Sequence, residues 1–155
     1  MESYNHKIVG FVPNVRKSKN ISMLKTEIVK FLKRFESDDK TYIFNEEGEL
    51  FEKGSRLISR LNHSFESKLF FYDLLKDAIF NLEFESDMEK ILFIFSDSDF
   101  DSYRISKVIE QAKASDYEVH FFELKNKVFT GESVVLETLD GISEKLYELY
   151  KNGGI

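Results

Sequence analysis

Hydrophobic positions along the chain follow two rhythms. Residues 6–12, His-Lys-Ile-Val-Gly-Phe-Val, and 90–96, Lys-Ile-Leu-Phe-Ile-Phe-Ser, are short runs that are apolar on every face. Such runs predict strands buried on both sides in the middle of a sheet. Elsewhere apolar residues recur every three or four positions: Ile21, Leu24, Ile28, Phe31, Leu32 and Phe35; Phe71, Leu74, Leu75, Ala78, Ile79 and Leu82; Ile105, Val108, Ile109 and Ala112. Each set predicts an amphipathic helix. Residues 40–45 and 49–52 read as two short strands around Glu46-Glu-Gly48, with the second arm an antiparallel edge strand kept short and charged. A short helix is expected at 54–61, strands at 117–124 and 133–139, and a last helix capped by Asp140 that turns Ile142, Leu146, Leu149 and Tyr150 inward. This alternation demands right-handed crossovers. It predicts an α/β fold, a three-layer Rossmann-like sandwich whose central sheet is mostly parallel with one antiparallel edge strand.

Composition narrows the functional classes. The 155 residues suit one domain, expected over 1–151 with a frayed tail at 152–155, and sixteen Phe supply a large core. A net charge of −6 provides no global attraction for phosphate, which argues against nucleic acid as the partner. The absence of Cys removes thiolate nucleophiles and Cys-based metal sites. No apolar run reaches membrane-spanning length and the polar start lacks the apolar core of a signal peptide, so the expected location is intracellular and cytoplasmic.

Candidate chemistry gathers where residues 90–96 run into Asp97, Asp99 and Asp101. Parallel sheets place ligands outside the carboxyl ends of their strands. The plainer reading makes these acids turn formers, with Asp101 or Ser102 as N-cap of the next helix. Carboxylates this close repel, and Arg16, Lys17 or Arg104 would offset them, Arg16 through an internal salt bridge. Asp73 and Asp77 read as solvated helix charges, and His6, His63 and His120 have no metal-ligand spacing. Phe70, Phe71 and Tyr72 cannot all face inward on one helix, and Phe65, Phe84 and Phe100 fall in loops. Exposed aromatic area beside charged loops is the composition of a protein-binding surface.

Two stretches carry a family likeness. Residues 67–82, Ser-Lys-Leu-Phe-Phe-Tyr-Asp-Leu-Leu-Lys-Asp-Ala-Ile-Phe-Asn-Leu, are similar to the threonine loop and following helix of von Willebrand factor A (vWA) domains. Residues 91–98, Ile-Leu-Phe-Ile-Phe-Ser-Asp-Ser, are similar to the strand that ends in Ser-Asp-Gly in that family. Over nearly its whole length the chain resembles a vWA domain, the fold also found in integrin inserted domains. The resemblance implies Mg²⁺ or Mn²⁺ held by oxygen ligands from three loops, the first reading Asp-x-Ser-x-Ser at the end of strand one. Here Val12-Pro-Asn-Val-Arg16 puts Val12 in place of the acid, Asn14 of the first Ser and Arg16 of the second. Ser67 stands for the threonine, and of the family's acids only Asp97 is kept.

The implied metal site is therefore degenerate and no cofactor is expected, although Asp97 would be the ligand if Mg²⁺ or Mn²⁺ bound. The implied function is a non-catalytic protein–protein interaction module. It would bind through loops 13–19, 65–69 and 97–102, with Asn14, Arg16, Ser67, Asp97, Asp99 and Asp101 as contacts. An alternative comes from Ser96-Asp-Ser-Asp-Phe100, which is similar to the Ser-Gly-Asp-Ser-Asp-Phe signature of NYN/PIN-like ribonucleases. That reading uses Asp97, Asp99 and Asp101, with Asp73 or Asp77 completing a metal-binding set for phosphodiester hydrolysis. It too needs an acid at the end of the first strand, and residues 8–19 contain none.

Overall fold

A computed structural model describes residues 6–34, 39–43, 49–52, 70–84 and 87–152. The elements in chain order are β1 (Lys7–Asn14), α1 (Ser18–Leu32), β2 (Lys40–Ile43), β3 (Glu49–Glu52), α2 (Phe71–Leu82), β4 (Glu89–Ser96), α3 (Ser102–Ala114), β5 (Glu118–Leu124), β6 (Val134–Leu136) and α4 (Ile142–Asn152). The helix expected at 54–61 lies outside the described residues. The strands form one sheet in the order β3-β2-β1-β4-β5-β6. Five of them, β2, β1, β4, β5 and β6, run parallel, and β3 pairs with β2 in the opposite direction from Lys40↔Glu52 to Ile43↔Glu49.

The two central strands carry no polar side chain from Ile8 to Val12 and from Ile91 to Phe95 because both of their faces are covered there. Val9, Phe11, Ile91, Phe93 and Phe95 share one core with α1 and α4. Their alternates Ile8, Val12, Leu92 and Ile94 share the other with α2 and α3. The first core is largely aromatic: Phe11 meets Phe31 edge-on at 5.7 Å and Phe31 meets Tyr150 at 5.5 Å. Rings at these separations add attraction beyond the area they bury.

Three boundaries differ from expectation. β1 continues past residue 12 to Asn14, through Pro13. The Asn14 carbonyl accepts from the Asp97 N–H, so the alternate residue Pro13 turns its missing donor to the β2 side and costs no bond to β4. β6 spans only three residues rather than 133–139, with Val134 and Val135 exposed at the sheet edge, while Leu139 is buried without being in a strand. The last helix starts at Ile142 behind Gly141, whose φ of +80° only glycine adopts without strain, so glycine and not Asp140 makes the junction. Leu149 is only half-buried in that helix, whereas Ile142, Leu146 and Tyr150 are buried as expected.

A buried acid fastens α1 to α4. Glu27, 2% exposed, accepts from the Ser143 N–H at 3.0 Å and from Lys30 Nζ at 3.1 Å. At the other end of the sheet, Asp39 accepts from the Lys7 N–H at 2.7 Å and from the Tyr150 hydroxyl.

Candidate functional site

Strand order decides where a site can form. From β1 the chain crosses to β2 on one side, whereas β4 leads on to β5 on the other, so the crevice between the ends of β1 and β4 is a topological switch point. Registration pairs Asn14 with Ser96, and Asp97 follows directly. Val12 is not at this mouth: it pairs with Ile94 in mid-strand and is fully buried. Strand one ends two residues later than its apolar run suggests, so the pattern counted from the strand end falls on Asn14, Arg16 and Ser18.

Asp97 is the hub of the mouth. Oδ1 accepts from the Arg16 N–H at 2.9 Å and the Ser98 hydroxyl at 2.8 Å. Oδ2 accepts from the Lys17 N–H at 3.0 Å and the Asn20 amide at 3.0 Å. Lys17 occupies the N-cap of α1 with no capping side chain of its own, and the first turn carries no acid. The carboxylate of Asp97, arriving from β4, satisfies donors that a capping residue ordinarily would. Its contact with Arg16 is made through the main chain.

Burial by itself would raise the Asp97 carboxyl, and donation from Arg16, Asn20, Lys17 and Ser98 together outweighs it, holding the group below its ordinary value. Glu27 behaves in the same sense, with burial opposed by Ser143 and Lys30. A depressed folded value means that the unfolded chain binds the proton more tightly. The stabilisation is therefore complete above the unfolded value and is lost as pH falls through the folded one. Stability should decline from about pH 4 downward, the ordinary carboxylate range. In Asp97→Asn that decline should be shallower, as chemical denaturation at a series of acid pH values would show.

The other candidates separate into different roles. Asp101 caps α3, accepting from the Arg104 N–H at 3.3 Å. Asp99 is exposed, with no hydrogen bond to its carboxylate among the described residues. Asp73 and Asp77 are exposed on α2. Ser67, Phe65 and His63 lie outside the described residues. His120 pairs with Glu118 at 2.6 Å, and His6 is 4.0 Å from Asp39. Among the described residues no three His, Asp or Glu side chains come together as metal ligands. Of the aromatic run, Phe71 is buried against Phe100 at 5.2 Å, Phe70 is 78% exposed, and Tyr72 is half-buried beneath the Arg104 guanidinium at 3.9 Å.

Sequence reading missed Glu123. It is 1% exposed and accepts from the Val128 N–H at 2.8 Å, the Phe129 N–H at 2.9 Å and the Ser133 hydroxyl. The available signal was its place: Glu123 follows Phe121 and Phe122 near the end of β5 and pairs with Ser96, the last residue of β4 before Asp97. Two clefts flank the Asp97 loop. One of about 460 Å³ is lined by Asn14, Arg16, Phe70, Tyr72, Asp99 and Arg104, among others. The second, about 370 Å³, includes Lys17, Ser96, Asp97, Asp99, Glu123 and Asn126.

No family model matches the sequence, and no curated protein matches it. Solved structures do. The chain is similar to an aerotolerance-related membrane protein from Bacteroides fragilis carrying multiple mutations to serines, with a TM-score of 0.63 at 8% identity over 92% of this chain and 96% of that one. It is similar to the conserved hypothetical protein BatB from Bacteroides thetaiotaomicron, with a TM-score of 0.62 at 9% identity over 95% and 98%. The VWA domain of SpRpn10 superimposes with a TM-score of 0.58 at 9% identity over 86% and 88%. The fold is that of the von Willebrand factor A domain. Among the described residues no helix is long and apolar enough to cross a membrane.

Proposed function

We propose that the chain is a non-catalytic protein-interaction module of the vWA type that presents its binding loops without a divalent ion. Contacts come from loops 13–19, 65–69 and 97–102, through Asn14, Arg16, Ser67, Asp99 and Asp101, with Asp97 tying loop 97–102 to loop 13–19. One observation carries the reading: both oxygens of Asp97 are already taken by four donors of the chain itself. A hard cation needs several convergent oxygen lone pairs. Around Asp97 the neighbouring groups point N–H and O–H hydrogens inward, and the end of β1 supplies Asn14 in place of an acid. This set does not suit Mg²⁺ or Mn²⁺. It suits a loop anchor, and a binding surface survives where hydrolytic chemistry would not.

The fold shared with the SpRpn10 VWA domain and the exposed Phe70 beside the mouth support an interaction role. A melting experiment tests metal independence. In millimolar Mn²⁺ the midpoint should match that in chelator within about 1 °C, because a ligand that does not bind the folded state cannot stabilise it. A rise of several degrees that disappears in Asp97→Asn would refute the reading.

A further inference from the structure

The sheet ends at β6, and no described strand pairs with its outer side. In a parallel pair the N–H and C=O of one residue both turn to the neighbouring strand, and those of the next residue both turn away. Leu136 pairs with Leu124 and its carbonyl accepts from the Lys125 N–H at 2.7 Å, so the main chain of Leu136 faces β5. The N–H and C=O of Val135 therefore point outward, and among the described residues nothing bonds to them. Exposed edges are ordinarily blunted by a Lys, a Pro or an inward charge. This strand has none of these: it reads Val-Val-Leu, with Val134 47% and Val135 42% exposed on opposite faces of the sheet.

The flanks of the strand select its partner. Ser133, Val135 and Glu137 alternate onto one face, and Lys127 Nζ donates to the Ser133 hydroxyl oxygen at 2.9 Å and to the Gly131 carbonyl at 2.9 Å. An ammonium has three hydrogens, so the exposed Lys127 keeps one to give. At the other end Glu137 is exposed, and its carboxylate has no hydrogen bond or ion pair among the described residues. Along this face the edge runs cation, valine, acid. Such a row is complementary to its own reverse, whereas a basic strand would oppose Lys127 and an acidic one would oppose Glu137.

We infer that two copies of this chain pair antiparallel through β6 about a two-fold axis at Val135, which joins their six-stranded sheets into one. Each Val135 exchanges both main-chain bonds with Val135 of the second copy. Glu137 of each chain then lies opposite Ser133 of the other, where Lys127 waits, and on the opposite face Val134 meets Leu136, which already packs against the first core. The inference does not depend on the interaction-module reading. In this arrangement the mouths between β1 and β4 stay free and point in opposite directions.

Sedimentation velocity over a series of concentrations tests it. The full chain should dimerise reversibly, and the Val135 amide should exchange its hydrogen more slowly where dimer prevails than on dilution. Val135→Lys, which sets two like charges face to face on the axis, should weaken the dimer at least about tenfold while the dilute protein melts as before, since this side chain is exposed. Glu137→Lys should weaken it about tenfold by opposing Lys127. Lys127→Glu should do the same from the other side, and a mixture of these two variants should recover dimer, because every opposed pair is then of unlike charge. A chain that stays monomeric throughout the series, a dimer indifferent to Val135→Lys or Glu137→Lys, a Val135 amide whose exchange ignores concentration, or folded variants that fail to associate when mixed would each overturn the inference.

Discussion

Asp97→Ala is expected to lower the unfolding free energy by about 3 kcal/mol, the cost of removing a partly buried charged acceptor from several donors at once. The Arg16 and Lys17 amides lose their acceptor, and the first turn of α1, which carries no acid of its own, loses the carboxylate bonded at its start. Asp97→Asn should cost about half as much, since one oxygen still accepts from Arg16 while the new NH₂ group opposes the Lys17 and Asn20 donors. Urea denaturation reads both values, and an Asp97→Ala loss below about 1 kcal/mol would put the residue among ordinary surface contacts. The same variants separate a loop anchor from a metal ligand: the anchor's loss is present in chelator, whereas the ligand's loss appears only with the ion.

Glu123→Ala should be as costly, about 3 to 4 kcal/mol, because it leaves buried donors without partners. The carboxylate is the fixed point of the segment between β5 and β6, where Val128 and Phe129 turn their amides inward. Phe129 is then placed against Phe121 at 4.8 Å in the core beneath α2 and α3. Once Glu123 is removed, hydrogen exchange at the Val128 and Phe129 amides should accelerate far more than exchange in β1 or β4. Glu123→Gln keeps one acceptor oxygen and should recover part of the loss. Unchanged exchange at those two amides in Glu123→Ala would show that the segment is held by Phe129 packing alone.

Much of the architecture was legible from residue order. Residues 90–96 could only be a strand covered on both faces, and the three- and four-residue spacing of Ile21 to Phe31, Phe71 to Leu82 and Ile105 to Ala112 could only be helices with one buried stripe. The acidic mouth at Asp97 was legible too, since an apolar strand that runs into alternating carboxylates must leave the core there. The end of β1 was not legible. Pro13 and Asn14 look like loop residues, and they extend the strand because β4 is there to pair with them.

Local pattern is enough to tell which residues leave water, so the sequence by itself determined the layers, the central strands and the end of β4 where the acids emerge. Partners are another matter. Asp97 meets Arg16 across 81 positions and Asn14 meets Ser96 across 82, and a hydrogen bond depends on direction and distance that no periodicity encodes. Only the tertiary structure decided that Asp97 is held by backbone amides, that Glu123 anchors a loop, and that Asn14 and Arg104 line one cleft. Burial is a property of each residue's own chemistry, while the geometry of a site belongs to chains of contact that folding alone brings together.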